Sequence, residues 1–239
     1  MLNIEKYLAK LMSLLITVIS FVPAFMYSYI FANFFTMYLF QWVRPTYRQI
    51  GSRNQNRKNI KKVLDIGTAT GDALSTIVDD LKEAHILGID YNEFYVPACK
   101  KRFESKPNVE IRFMNFYNLE KEESETLFDI IIFGSSFMLM PDQVKALEIA
   151  KSTFISYSGK LNKNGKIYFL QTLFHERTLY VRMLAYIKPI LKYLTTIDFG
   201  KVLFKKEFEE FLVNNELRIV WSERCLGNFF LKTTTFYIY

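Results

Sequence analysis

Nine positions, Val63-Leu64-Asp65-Ile66-Gly67-Thr68-Ala69-Thr70-Gly71, constrain this chain most. A short apolar run leads into an acid, and a turn of small residues bounded by Gly67 and Gly71 follows. A helix is expected from about Asp72. Strand, tight turn and helix is how an open α/β sheet makes a cofactor cradle. Glycine frees the backbone there and lets main chain approach a ligand with no Cβ in the way. The spacing is neither the dinucleotide pattern G-x-G-x-x-G nor the phosphate loop G-x-x-x-x-G-K-[ST].

The downstream sequence repeats the strand signal in order. His85 to Asp90 reads as a second strand ending in an acid, 25 residues after Asp65. A carboxylate there has the reach and polarity to accept hydrogen bonds from two ribose hydroxyls. Asn92 to Phe103 reads as a helix, and Val109 to Phe113 as a third strand followed by Asn115 and Phe116. Phe128 to Gly134 reads as a fourth strand. Lys166 to Leu170 reads as a fifth, entered through Leu161-Asn162-Lys163-Asn164-Gly165. Lys206 to Asn214 reads as an amphipathic helix. Leu217 to Ser222 and Phe229 to Tyr239 read as strands joined through Gly227-Asn228.

Together these segments resemble the class I S-adenosylmethionine-dependent methyltransferases. Residues 65–71 are similar to that family's motif I, E/D-x-G-x-G-x-G, with Ala69 at the middle glycine. The resemblance implies a Rossmann-like α/β fold, with a seven-stranded sheet and a terminal antiparallel hairpin. S-adenosyl-L-methionine is the implied cofactor. Asp65, Gly67, Ala69 and Gly71 would then form the cofactor loop, and Asp90 would bind the ribose. Asn115 stands where the family often has an acid, and Asn115 and Phe116 would face the adenine. Residues 161–165 resemble the family's L-K-P-G-G turn, without its proline and with one glycine.

Charge separates two regions. Residues 1–62 hold nine Lys/Arg against one acid, whereas 63–239 hold twenty-two against twenty-three. A nearly neutral catalytic-type domain argues against a nucleic-acid substrate, which needs a broad basic face. The two cysteines, Cys99 and Cys225, lie far apart with no metal-ligand spacing, so no disulfide framework or metal site is expected.

Residues 11–43 contain no charge. A bilayer core needs about twenty apolar residues as a helix, so the segment reads as a transmembrane anchor. It is either one tilted helix kinked at Pro23 or a re-entrant pair broken there. Trp42 and Tyr47 suit an interface, with Arg44 and Arg48 beyond it. A cleaved signal peptide, a buried helix and a transit peptide are the competing readings. The organisation expected is an anchor over 1–48, a basic linker over 49–62 and a methyltransferase domain over 63–239. Basic residues after the apolar run place the domain on the cytoplasmic or matrix side of a single-pass membrane protein. Those residues are also suited to anionic lipid head groups.

Acceptor-side candidates lie after strands four and five, because ligands in open parallel sheets sit beyond the strands' C-terminal ends. Ser135 and Ser136 follow strand four. Gln171 to Arg177 are expected to follow strand five, with His175 as candidate general base and Ser135 as candidate acceptor-orienting residue. Residues 178–199 read as an insert that either caps the site or contacts a membrane through Arg182, Lys188 and Lys192. The function expected is methyl transfer to a small lipophilic or lipid-linked acceptor. The rival is a catalytically silent methyltransferase fold serving as a structural subunit of a membrane complex.

Overall fold

The computed structural model describes residues 43–55, 60–122, 127–152, 165–195, 198, 200–224 and 233–238. Five strands follow the hydrophobic runs: β1 (Lys62–Ile66), β2 (His85–Asp90), β3 (Val109–Phe113), β4 (Ile130–Gly134) and β5 (Lys166–Phe174). The residues of β1, β2, β4 and β5 are almost all buried, as strands covered on both faces require, whereas the edge strand β3 buries only Ile111. Three more follow: β6 (Leu203–Phe204), β7 (Ile219–Arg224) and β8 (Thr233–Ile238).

The sheet order is β3-β2-β1-β4-β5-β8-β7, with β6 pairing the far end of β5. Strands β1 to β6 are parallel, and β8 lies antiparallel between β5 and β7. The described sheet therefore has eight strands rather than the seven expected, because the two-residue β6 adds along β5. The order reverses between β1 and β4, which run side by side, so the switch point lies at Ile66 and Phe133.

The helices are α1 (Val43–Asn54), α2 (Val96–Arg102), α3 (Leu119–Glu122), α4 (Gln143–Ser152), α5 (Leu179–Thr195) and α6 (Lys205–Asn214). Two cores sandwich the sheet. One holds Leu64, Ile66, Phe133, Phe137, Phe169 and Phe208. The other holds Tyr47, Ile50, Val63, Ile77, Ile132 and Tyr168.

Several expectations change. Residues 49–54, expected as linker, complete α1. Its buried face is Thr46, Tyr47, Ile50, Gly51 and Asn54, a helical repeat. Tyr47 therefore sits in the core and not at an interface. No α-helix follows motif I. Residues 72–84 form turns around one short 3-10 turn, Leu74–Thr76. The Ser75 and Thr76 hydroxyls each donate to the carbonyl three residues back, offering the chain a local alternative to helix. Gln171 to Phe174 belong to β5, so only His175 onward lies past its end.

Among the described residues no helix is long and apolar enough to cross a membrane. The predicted span 11–43, apart from Val43, lies outside them, as do the turn residues 161–164 and the bend at Gly227-Asn228.

Candidate functional site

The site begins where β1 stops. Gly67, Ala69 and Gly71 all take left-handed backbone, with φ of 76°, 50° and 73°. An L-residue pays a small steric penalty in that region, so alanine is tolerated at 69. A Cβ on Gly67 would lie 2.6 Å from Ser136 Cβ, and one on Gly71 would meet Cys99 Sγ at 2.7 Å. Both glycines are therefore required by packing as well as by conformation.

The bend is laced to the tip of β2. The Gly67 and Thr68 amides donate to the Ile89 carbonyl at 2.9 and 3.2 Å. Asp90 Oδ2 accepts the Ala69 amide at 2.8 Å, and Oδ1 accepts the Asn92 amide at 2.8 Å. Each carboxylate oxygen keeps a second lone pair. Asp90 is thus turned onto the motif loop and retains capacity for two further donors. Burial raises its pKa, opposed by those amides.

Asp65 is 1% exposed. The Tyr47 hydroxyl donates to Oδ1 at 2.6 Å, while Oδ2 is buried with no partner. Burial pushes its pKa up to about 6, against the lowering effect of hydrogen bonds from Tyr47 and Thr68. Gly134, at the end of β4, leaves the space the Tyr47 hydroxyl occupies, since any Cβ there would collide with it. The sequence assigned Tyr47 to a membrane interface and not to this site. Its signal was the spacing Val43, Tyr47, Ile50, Asn54 within a basic stretch.

The two serines after β4 divide their roles. Ser136 donates its hydroxyl to the Ile66 carbonyl and so locks the motif bend to β4. Ser135 takes φ 65°, and its amide donates to Leu170 O at 2.9 Å. Its hydroxyl is buried and unpartnered. Gln171, fully buried on the adjacent strand, likewise has no partner for either amide atom. Buried polar groups are rarely left unpaired away from functional sites. Gln171 is a second residue that sequence reasoning did not single out.

Other expectations move. Phe116 was expected to face adenine, but its ring is in the core, edge-on to Phe133 at 5.7 Å. Asn115 is exposed, and its side chain caps the next turn by accepting the Tyr117 amide at 3.0 Å. His175 is exposed on the bend just past β5. Lys188, expected to reach outward, is partly buried and donates to the Lys201 carbonyl at 3.4 Å. Lys192 pairs with Asp198. Among the described residues, no group of three or more potential metal ligands occurs.

A family model described as "Methyltransferase domain" matches residues 57–176. No curated protein matches. Solved structures share the fold at low identity. The chain matches the plantazolicin methyltransferase BpumL, solved with a desmethyl analogue and SAH, at TM-score 0.59 and 14% identity, covering 82% of this chain and 84% of that one. It matches a SAM-dependent methyltransferase from Aquifex aeolicus at TM-score 0.56 and 16% identity, covering 80% and 88%. Against the mitomycin 7-O-methyltransferase MmcR, the TM-score is 0.59 and the identity 14%. There the match covers 80% of this chain and only 52% of that one. With a matching family model over half its length, the chain belongs to the methyltransferase-domain family.

Proposed function

We propose that the chain is a membrane-anchored S-adenosylmethionine-dependent methyltransferase acting on a small lipophilic or lipid-linked acceptor. The observation that carries the cofactor assignment is Asp90. Its carboxylate is drawn onto the Ala69 amide at the glycine bend, with acceptor capacity left for a diol. The bend fits the rest of that group. Gly67 and Gly71 keep Cβ atoms away from the backbone there, and the unpartnered Asp65 Oδ2 suits an ammonium.

The bound sulfonium would supply an electrophilic methyl carbon. This chain's residues do the remainder. Asp90 holds the sugar, and Asp65 with the motif amides holds the amino-acid end. The Ser135 hydroxyl, unpartnered in the fold, orients an acceptor heteroatom. His175 takes the proton when the acceptor is a hydroxyl or thiol. Most of the rate then comes from alignment and exclusion of water. The uncharged segment 11–43, followed by basic Arg44 and Arg48, supports the anchored reading and a domain on the cytoplasmic or matrix side.

The test is calorimetric titration of the detergent-solubilised full chain with S-adenosylmethionine and its demethylated product. Both should bind, and Asp90→Ala should weaken binding at least a hundredfold. Equal binding by the variant refutes the site. A second reading, a silent structural subunit of a membrane complex, draws on Phe116 being committed to the core. It predicts no binding of either ligand and recovery with a larger assembly at fixed stoichiometry.

A further inference from the structure

Helix α5 turns most of its surface to solvent, and that surface is apolar. Leu179, Met183, Tyr186 and Ile190 fall at i, i+4, i+7 and i+11, so they form one stripe, with Ile187 beside it. Tyr186 is 79% exposed and Leu179 75%. The inward residue Val181 is 5% exposed and holds the helix to the domain. Residues 179–195 contain Arg182, Lys188 and Lys192 and no acid. Arg182 is exposed beside the stripe. Asp198, the acid near the helix end, pairs with Lys192.

The placement of this stripe is informative. Helix α1 starts beside the cofactor bend, where Arg44 Nε lies 3.2 Å from Asp72 Oδ2. It ends at the opposite edge of the sheet. Asn54 Nδ2 there donates to the Tyr168 hydroxyl at 2.9 Å, and Lys166, the first residue of β5, donates to Asn54 Oδ1 at 3.2 Å. Helix α1 therefore runs against the strands, and its first residue, Val43, lies at the C-terminal edge. Helix α5 follows the C-terminal end of β5, and Gly200 after it packs on Met138 beyond β4. Both features meet on the edge that carries Asp90 and Ser135. Exposed Tyr91 and Phe113, at the ends of β2 and β3, lie on that edge too.

We infer that the exposed face of α5 seats on the surface of an anionic bilayer, so that the cofactor cleft opens toward lipid. The inference rests on the anchored reading of the chain above and adds the face that meets the membrane. A helix with an apolar stripe and basic flank lies in the interface plane with its apolar side in the head-group boundary. The tyrosine suits that depth and Arg182 suits anionic head groups. An acceptor dissolved in the bilayer would then reach the cleft without crossing water.

The experiment uses the full chain in vesicles of seven parts phosphatidylcholine to three parts phosphatidylserine. Met183→Cys, Ile190→Cys and, as a control on α6, Val213→Cys are made in a Cys225→Ser background. Each is labelled with a bimane fluorophore and challenged with a nitroxide carried on the lipid chains. Flotation of the vesicles reports anchoring separately. Quenching at 183 and 190 should exceed that at 213 at least threefold. Flotation with quenching no greater than the control overturns the docked helix while sparing the anchor. Failure to float overturns both. Cross-linking of 183 to 183 between copies, without lipid quenching, overturns the proposal in favour of a second copy as occupant. S-adenosylmethionine binding by each labelled variant serves as the check that the fold is intact.

Discussion

Replacing Asp65 with asparagine should stabilise the protein at neutral pH while weakening cofactor binding. The carboxyl is buried, one oxygen has no partner, and its pKa stands at about 6 instead of 3.8. At about 1.36 kcal/mol per pKa unit, holding it ionised costs the folded state about 3 kcal/mol. Because the folded value is raised, the favourable contribution is complete below pH 3.8. It is lost as pH climbs through about 6. At pH 7.5 the wild type bears the whole penalty. Asparagine removes the charge and keeps the shape, but its buried amide hydrogens return about 1–2 kcal/mol of cost. The net gain expected is about 1–2 kcal/mol, or roughly 3–6 °C in melting temperature for a domain of this size. Thermal unfolding followed by circular dichroism in matched detergent at pH 7.5 and pH 4 measures it. The gain should be present at pH 7.5 and vanish or reverse at pH 4. A variant destabilised by more than about 1 kcal/mol at pH 7.5 would refute the reasoning. In the wild type, cofactor binding near pH 6 should release protons, read from the buffer dependence of the binding enthalpy. An ammonium beside Oδ2 lowers the carboxyl's pKa.

Tyr47→Phe acts in the opposite direction. It removes the 2.6 Å hydrogen bond from the Tyr47 hydroxyl to a buried carboxylate, so a loss of about 1.5–3 kcal/mol is expected in the same melts. An unchanged melting temperature would show that α1 does not support the motif. Gly67→Ala places a Cβ 2.6 Å from Ser136 Cβ on backbone at φ 76°, and neither partner is a flexible side-chain end. A cost of about 1–3 kcal/mol and loss of S-adenosylmethionine binding by calorimetry are expected; retained affinity would contradict the tight-bend assignment.

Much of the frame was readable without coordinates. Strands β1, β2 and β4 lie within two residues of the runs that announce them, because a strand buried on both faces needs a largely apolar stretch, and the edge strand β3 follows the alternation Val109, Ile111, Phe113. Gly67 and Gly71 announced a tight turn because glycine frees the backbone, and both take positive φ there. Asp90 was legible from its place at the end of a strand. The turns after Gly71 were not. There the strand–turn–helix pattern suggested helix, while serine and threonine hydroxyls bonded locally to the backbone.

What the sequence alone determined is the order of strands, the bend and the acid beyond it, since each is a local matter of backbone freedom or apolar run. Tertiary structure decided which polar atoms are used up and which are left open. Ser135 and Ser136 are chemically identical neighbours, yet the Ser136 hydroxyl is bonded to Ile66 and the Ser135 hydroxyl has no partner. Phe116 went to the core, and Tyr47 arrived on Asp65 from eighteen residues upstream. Burial and pairing depend on every element that packs around a group, so no window of sequence contains them.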